Sequence, residues 1–393
     1  MQAEFVERAR RIGERLLAEA REGEEGSLTW GRGADGRHAP VPDSGPYSGR
    51  CGEALLLAAL RVATGESRFE EAALRVLLGL RRGLDVEPLQ DGLVGVGGCL
   101  YALVRVGHWL GREELLESAR RLADVFTPER MARDTSFDVI HGAAGALLAL
   151  LALEETGAAE ALPRAERYAA HLLAHRTADP TTGLRAWATL RAEPSTGFAH
   201  GASGIAHALL RLHQRTGTSA YYEAALEAFA FERALFREPL RNWDDSRVEP
   251  PGAPRMWSWC HGAPGLALGR LTALPCLREG DESDVVGDLK RALQATVLVQ
   301  LPNVDPVCCG HFGRIDILLE ASRRLDNPSL ERQARQLAQA RLRYADEHGF
   351  VPTPAPVLPP HLEPGFWQGQ AGIGYTLLRL ADAERFPCVL AMG

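Results

Sequence analysis

The hydrophobic residues of this 393-residue chain fall into two alternating patterns. In the first pattern, apolar residues recur at i, i+3 and i+4 with arginine and glutamate between them, as in an amphipathic helix that exposes one face. Seven segments show it, at about residues 3–22, 67–83, 112–126, 163–176, 219–236, 283–299 and 328–347. In the second pattern, the apolar residues run on with few interruptions, which predicts helices buried on all sides. The alternation indicates two concentric layers of helices.

Each apolar run begins at a Gly-x-x-Gly motif. The seven glycine pairs are Gly49/Gly52, Gly95/Gly98, Gly142/Gly145, Gly201/Gly204, Gly262/Gly265, Gly310/Gly313 and Gly369/Gly372. Copies of one motif at near-regular intervals indicate an internal repeat. We predict an all-α fold, an α/α toroid (double α-barrel) of seven outer and seven inner helices, in a single domain over residues 1–393.

A glycine turn at the start of every inner helix permits a sharp change of direction, and we expect it to bring free backbone N–H groups to the mouth of the barrel. If all seven turns gather at one end, the residues just before or inside them converge on the axis from distant parts of the chain. Candidate site residues occupy these positions in five repeats: Asp138 and His141, His200, Cys260 and His261, Cys308 and Cys309, Trp367 and Gln368.

Three cysteines at consecutive turns are candidate metal ligands. Adjacent cysteines such as Cys308 and Cys309 pair poorly in a disulfide, because their Cα atoms lie about 3.8 Å apart, whereas disulfides span about 4.4–6.8 Å. Catalytic zinc takes three protein ligands and keeps one position open. We therefore predict Zn²⁺ bound by Cys260, Cys308 and Cys309, where a further thiol would be deprotonated yet still nucleophilic. The other four cysteines are expected to be small core residues: Cys51, Cys99, Cys276 and Cys388.

His200 holds the place in its repeat that Cys309 holds in its own, so we expect its side chain at the same mouth. A histidine there can carry a proton at neutral pH. Asp138, in FDVIHG, could orient His200 or His141, or cap the helix that follows.

Four further histidines have more than one interpretation. His261 and His311 lie next to the cysteines and could replace one of them as a ligand, or hydrogen-bond to sulfur from outside the metal shell. His207 and His213 lie further along an inner helix and are expected to be structural or solvated.

Charge and hydropathy exclude several partners. The formal charge of −7 and the isoelectric point near 6.0 give no basic footprint for nucleic acid. The amphipathic N-terminal segment lacks the apolar core of a signal peptide, and no run of about 18 apolar residues follows it. We expect a cytoplasmic protein with no membrane span.

The motifs together resemble the lanthionine synthetase C-like (LanC-like) family over about residues 40–385. They are FDVIHGAAG, FAHGASGI, WCHGAPG, CCGHFG and FWQGQAGIGYTLLRL. The CCG form is most similar to the cyclase domain of class II (LanM-type) synthetases. The resemblance implies an α/α toroid with one zinc ion, in which Cys260, Cys308 and Cys309 are the ligands, His200 is the acid/base and Asp138 is its charged neighbour.

The resemblance also implies an activity. Cyclases of this family form lanthionine or methyllanthionine rings by adding peptide cysteine thiols to dehydroalanine or dehydrobutyrine. The expected partner is a dehydrated precursor peptide with its leader. The dehydratase region of class II synthetases has no counterpart in this sequence. We therefore expect either the cyclase domain of such a synthetase expressed alone or a stand-alone cyclase. In both cases a separate dehydratase would prepare the precursor.

One departure and three alternatives remain. Class I members carry an arginine four residues before the first zinc cysteine, whereas Met256 stands there and Arg255 is one place off. The chain could instead add glutathione or another thiol to an electrophile, or be a non-catalytic binding module stapled by zinc. A carbohydrate-active toroid would need paired carboxylates, and Asp138, Asp91 and Glu363 are not paired by position.

Overall fold

A computed structural model describes residues 2–30, 50–78, 90–243, 256–298, 303–353 and 364–393. Within these ranges, long helices alternate with the glycine turns as the hydrophobic pattern predicts. In chain order they are α1 (Gln2–Glu19), α2 (Arg50–Thr64), α3 (Ser67–Leu78), α4 (Val96–Leu110), α5 (Glu113–Ala123), α6 (Ala143–Glu154), α7 (Leu162–Ala174), α8 (Ala202–Thr216), α9 (Ser219–Ala234), α10 (Ala263–Ala273), α11 (Glu282–Leu298), α12 (His311–Arg324), α13 (Pro328–His348) and α14 (Gln370–Ala381). One short helix, Pro128–Ala132, precedes α6.

The even-numbered helices form a closed inner ring. Each contacts the next one along the chain, and α14 returns to contact α2. The odd-numbered helices form the outer layer, in which α3 packs on α2, α5 on α4 and so on, while α1 packs on α14. The described part of the chain thus confirms the predicted α/α toroid of seven inner and seven outer helices.

Burial explains the two hydrophobic patterns. Inner helix α6 is buried from Ala143 through Leu153, since neighbours surround it. Outer helix α5 buries little more than one stripe, formed by Leu115, Ala119, Leu122 and Ala123, and exposes its charged face. Each fully buried leucine or valine contributes about 1.5–3 kcal/mol, so the inner ring supplies most of the hydrophobic stabilisation.

In the part of the chain that the structure describes, three short antiparallel hairpins accompany the helices. They pair β1 (Arg21–Glu22) with β2 (Leu28–Thr29), β3 (Thr177–Ala178) with β4 (Arg185–Ala186), and β5 (Phe236–Arg237) with β6 (Asn242–Trp243). None of the helices in the described ranges is both long enough and apolar enough to cross a bilayer.

The segment from Phe386 to Gly393 fills the lumen of the inner ring. It includes a 3₁₀ turn, Val389–Ala391, whose three residues are buried. His207 of α8 lies with Nε2 2.9 Å from the Ala391 carbonyl, and Tyr101 of α4 donates to the Gly393 carbonyl. Because these partners come from different sides of the ring, the segment closes the barrel from within. His207 is therefore structural, as expected.

Candidate metal centre and acid/base pair

The motif glycines allow the loop before each inner helix to fold back against that helix. At the second glycine of five repeats, a Cβ atom would lie 1.8 to 2.1 Å from the carbonyl oxygen six residues earlier. Such contact is impossible for a real side chain, so glycine is required for close approach. These five glycines are Gly145, Gly204, Gly265, Gly313 and Gly372.

We predicted free backbone N–H groups at the mouth, and this prediction is wrong for most of these turns. The folded-back loops supply acceptors instead: Ala144 N–H donates to the Phe137 carbonyl at 3.0 Å, and Gly265 N–H donates to the Ser258 carbonyl at 3.2 Å. The loop carbonyls thereby satisfy the first amides of the helices, which have no partner within the helix. The chemistry of the mouth therefore rests on side chains.

Backbone hydrogen bonds also join neighbouring turns. Val139 N–H donates to the Ala199 carbonyl at 3.2 Å, Cys260 N–H to the Cys308 carbonyl at 3.4 Å, and Cys308 N–H to the Trp367 carbonyl at 2.9 Å. The turns thus lie side by side at one end of the ring, and candidate residues from separate repeats come together there.

The three predicted cysteines form one cluster. The Sγ atom of Cys309 lies 3.6 Å from that of Cys260 and 3.4 Å from that of Cys308, and all three sulfurs are within 4.8 Å of one another. Three sulfurs on a tetrahedral zinc, each bonded at about 2.3 Å, would be about 3.8 Å apart. The donor set and its spacing fit zinc.

The histidines next to the cysteines are not members of this cluster. Within the described ranges, the group of mutually close ligand atoms contains the three sulfurs and no nitrogen of His261 or His311. The two rings are buried near the mouth, and His261 stacks on His200 instead. Direct ligation by either histidine therefore has no support from this arrangement.

Burial and mutual proximity make ionisation of the thiols unfavourable. Burial is the main cause that raises the pKa of Cys308 well above its usual value, and the neighbouring Cys260 and Cys309 raise it further. For Cys309, the hydrogen bond with Cys260 is the largest cause that raises the pKa. A divalent cation reverses this balance, because thiolates bind metals and the metal compensates their charge.

Within the described ranges, Gln368 and Ser258 touch the cluster. Gln368 Nε2 donates to Cys309 Sγ at 3.4 Å, and Ser258 Oγ lies 3.2 Å from Cys260 Sγ. Thr353 in turn donates to Gln368 Oε1 at 2.8 Å, which fixes the amide with its nitrogen toward sulfur. Such outer contacts orient metal ligands. The sequence indicated that Gln368 lies at the mouth but gave no indication of Ser258.

Asp138 holds the predicted acid/base residue. Its Oδ2 atom is 2.8 Å from His200 Nδ1 and 3.4 Å from His141 Nδ1, while its Oδ1 accepts the His141 backbone N–H at 2.6 Å. Complete burial alone would raise the pKa of Asp138, but the hydrogen bonds from both histidines outweigh burial and lower it to about 2. Asp138 is thus an ionised carboxylate that orients both rings, so the two orienting alternatives hold together.

Three imidazole rings connect this carboxylate to the cysteine turn. The centroids of His141 and His200 are 5.2 Å apart, and those of His200 and His261 are 5.4 Å apart, in near-parallel stacks. His261 directly follows Cys260. The candidate acid/base residue therefore lies between Asp138 and the turn that carries the first sulfur.

A buried carboxylate supports the turn that carries His200. Glu232 Oε1 on α9 accepts the backbone N–H groups of Gly197, at 2.9 Å, and Ser203, at 3.1 Å, on either side of His200. Arg270 of α10 contacts Glu232 Oε2 and neutralises it. The sequence did not single out Glu232, because charged residues are expected on the exposed face of an amphipathic helix. Its position beside Phe229 and Phe231 was the one signal that it could be buried.

The other residues singled out in the sequence are either structural or lie outside the described ranges. Asp91 is bound by Arg130 and by the Tyr168 hydroxyl at 2.6 Å, which makes it a structural carboxylate. Met256 accepts from Asn242 Nδ2 through its carbonyl at 2.9 Å and so supports the fifth turn. Glu363 and Arg255 lie outside the described residues, as does Gly49 of the first motif.

The sequence and the fold are similar to those of known proteins. Residues 40–391 match the sequence model of the "Lanthionine synthetase C-like protein" family. The structure is similar to that of nisin cyclase, with a TM-score of 0.67, 17% identity, and coverage of 90% of this chain and 93% of that one. It is also similar to the Lin0763 protein from Listeria innocua, with a TM-score of 0.53, 12% identity, and coverage of 85% and 97%.

No curated protein has a significant sequence match to this chain. At these identities, the structural likeness establishes the α/α toroid, and the family match rests on the sequence itself. The match extends from before the first glycine motif into the buried segment in the lumen, and it includes every turn that carries a candidate site residue. This chain belongs to the lanthionine synthetase C-like family.

Proposed function

We propose that this protein is a zinc-dependent lanthipeptide cyclase, which forms thioether rings by adding peptide cysteine thiols to dehydroalanine or dehydrobutyrine. The observation that carries the proposal is the convergence of three sulfurs and an Asp138–His200 pair at one end of the toroid. The sulfurs suit a metal that accepts a thiol, and the pair suits proton transfer to carbon. The reaction requires both.

Cys260, Cys308 and Cys309 would hold the ion. When bound, zinc supplies a positive charge that favours the thiolate form of an incoming cysteine at neutral pH. Gln368 and Ser258 keep the three sulfurs in place through their contacts with Cys309 and Cys260.

His200 would deliver the proton that completes the addition. The substrate thiol gives its proton to His200 Nε2, a bond forms between sulfur and the β-carbon, and the electron pair of the C=C bond moves onto the carbonyl as an enolate. The α-carbon then gains a proton from His200 Nε2, which leaves both the ring and a neutral histidine. The Asp138 carboxylate at His200 Nδ1 stabilises the protonated ring before this transfer.

Positioning would supply much of the remaining acceleration, because both reacting groups belong to one flexible peptide. The substrate would be a dehydrated precursor peptide with its leader, made by a separate dehydratase. Glu232 and the inter-turn hydrogen bonds hold the mouth rigid while the peptide is bound.

The test is a ring-formation assay by mass spectrometry. A dehydrated precursor peptide is incubated with the zinc-loaded protein, and its remaining thiols are then labelled with an alkylating reagent. We expect no label after incubation with the native protein and full labelling with Cys309→Ala. Cys51→Ala, which alters a buried cysteine of α2 rather than the cluster, is the matched control and should behave as native. Full labelling with the native, zinc-loaded protein would contradict the proposal.

A further inference from the structure

A cleft opens beside the acid/base pair, on the side of His141. Its lining includes Gln90 and Val125, two residues of the short helix Pro128–Ala132, and the residues from Arg133 to Ser136. His141 also lines the cleft, and its side chain is 30% exposed. The cleft therefore connects solvent to the ring that stacks on His200.

The wall of the cleft is built as a rigid surface. The Asp134 carboxylate accepts the backbone N–H groups of Ser136, at 3.1 Å, Phe137, at 3.2 Å, and Ala143, at 3.0 Å. Phe137 has φ +60°, an unfavourable conformation for a bulky residue, and its ring packs on His171 and His175. Strained backbone that is held in this way is concentrated at functional sites.

The charges in the cleft largely cancel. Arg130 is bound to Asp91, and exposed Glu129 and Arg133 have opposite signs, so Asp134, which accepts hydrogen bonds from neutral amides, contributes the single remaining negative charge. The hydroxyl groups of Thr127, Thr135 and Ser136 add neutral hydrogen-bonding capacity. These properties suit an uncharged peptide backbone better than a strongly acidic or basic ligand.

The order of the imidazole stack divides the mouth into two sides. His261 adjoins the sulfur cluster, His200 lies in the middle, and His141 faces the cleft. A thiol donor must reach the sulfurs, whereas the acceptor carbon must reach His200. The cleft on the His141 side offers the chain that carries the acceptor an approach to His200 that does not cross the metal ligands.

We infer that this cleft binds the dehydrated, acceptor-bearing segment of the substrate peptide, as an extended and uncharged chain. The inference rests on the proposed function, which it deepens by assigning donor and acceptor to opposite sides of His200. His141 contacts the segment as it enters, and Thr135 and Ser136 form hydrogen bonds with its amide groups.

Binding without chemistry tests the inference. The probe is a fluorescein-labelled peptide with two dehydroalanines and alanine in place of cysteine, and its Kd for the full-length, zinc-loaded protein is measured by fluorescence anisotropy. Thr135→Trp places an indole in the cleft from an exposed position. Ala18→Trp is the matched control, because exposed Ala18 lines a second groove between α1 and α13.

We expect Thr135→Trp to raise Kd at least tenfold and Ala18→Trp to leave it within twofold, with zinc content and circular dichroism unchanged in both. In the ring-formation assay, Thr135→Trp should raise KM and leave kcat nearly unchanged, as expected for a loss of binding. If Thr135→Trp does not fold, Arg133→Trp blocks the same cleft from another exposed position.

An unchanged Kd in the folded cleft variant, or an equal loss in both variants, overturns the inference. The outcomes separate it from the proposed function. Tight, cleft-dependent binding without any ring formation by the native protein would contradict the cyclase and leave the binding surface intact. Ring formation with native kcat/KM by Thr135→Trp would leave the cyclase intact and contradict the cleft.

Discussion

The buried polar groups of the inner helices differ from those at the mouth of the barrel. In the interior, Arg379 of α14 contacts Asp316 and lies 2.7 Å from Glu320, so a buried cation is surrounded by carboxylates of the same protein. At the mouth, three cysteine sulfurs lie within 4.8 Å of one another, beside the neutral side chains of Gln368 and Ser258. Because Arg324 also lies 2.6 Å from Glu320, the interior cluster balances its own charge, whereas a bound metal ion would balance the charge of ionised sulfurs.

The same contrast separates individual cysteines. Cys388 lies in the interior with Sγ 3.7 Å from Asp316, where burial first and the Asp316 charge second raise its pKa. A lone buried thiol in that position packs as a neutral residue. The cysteines at the mouth are also buried, but their grouping gives them a use that a single thiol lacks.

The largest expected effect comes from breaking the sulfur cluster. Cys309→Ala removes the sulfur that lies between the other two, and we expect bound zinc to fall from one ion per chain to none and ring formation to cease. Cys388→Ala should retain both zinc and activity, with a loss of stability of about 1–3 kcal/mol from the buried packing. Metal analysis of both purified variants checks the comparison, and equal zinc in both would refute it.

Substitution of the two buried aspartates, Asp138 and Asp316, should have different effects. Asp138→Asn removes the charge that stabilises protonated His200, so kcat should fall by about 10²–10⁴ while zinc remains bound. Asp316→Asn should instead destabilise the fold by about 3–5 kcal/mol, because Arg379 loses part of a buried ion pair. Steady-state kinetics and urea unfolding of both variants separate these effects, and native kcat in Asp138→Asn would exclude the proposed proton donor.

The free energy of unfolding at acidic pH should depend on the Asp138 carboxylate. Its pKa is about 2, below the ordinary value of 3.8, so its ionised form stabilises the folded state. This stabilisation is fully present above the unfolded pKa and is lost as the pH falls through the folded pKa. Between about pH 4 and 2, native protein should therefore lose stability more steeply than Asp138→Asn. Urea unfolding across this range measures the difference, and parallel curves would contradict the assignment.

The smallest effect concerns two tryptophans. Trp259 donates from Nε1 to the Leu390 carbonyl at 3.1 Å and packs on Phe198 and Trp367, whereas Trp187 donates to the Leu172 carbonyl of outer helix α7. Phenylalanine at either position should cost about 1 kcal/mol of stability through the lost hydrogen bond. Only Trp259→Phe should alter the absorption spectrum of the Co²⁺-substituted protein, because Trp259 precedes Cys260. A shifted spectrum in Trp187→Phe would count against this local effect.

The layers of the fold could be predicted because their cause is local. The residues of helix α6 alone predict burial on all sides, and those of α5 predict one exposed face. The glycine motifs mark where the inner helices begin. The three cysteines and His200 could be placed together because they occupy equivalent turns of a repeat. Equivalent positions in a closed ring meet at its axis.

The contacts that support the site could not be predicted. Glu232 reaches the amides beside His200 from an outer helix, and Leu390 reaches Trp259 only after the last segment enters the lumen. Both contacts depend on how the ring closes, and the hydrophobic pattern of a single segment does not predict that. The expected free amides failed for a related reason, since the loop carbonyls that accept them fold back only in the complete turn.

The most direct measurement is zinc K-edge X-ray absorption of the purified protein, before and after addition of a small thiol. The account predicts one zinc with three sulfur neighbours and one lighter atom, and a fourth sulfur neighbour once the thiol is present. A zinc shell filled by four protein side chains and unchanged by the thiol would contradict it, as would a zinc without sulfur neighbours.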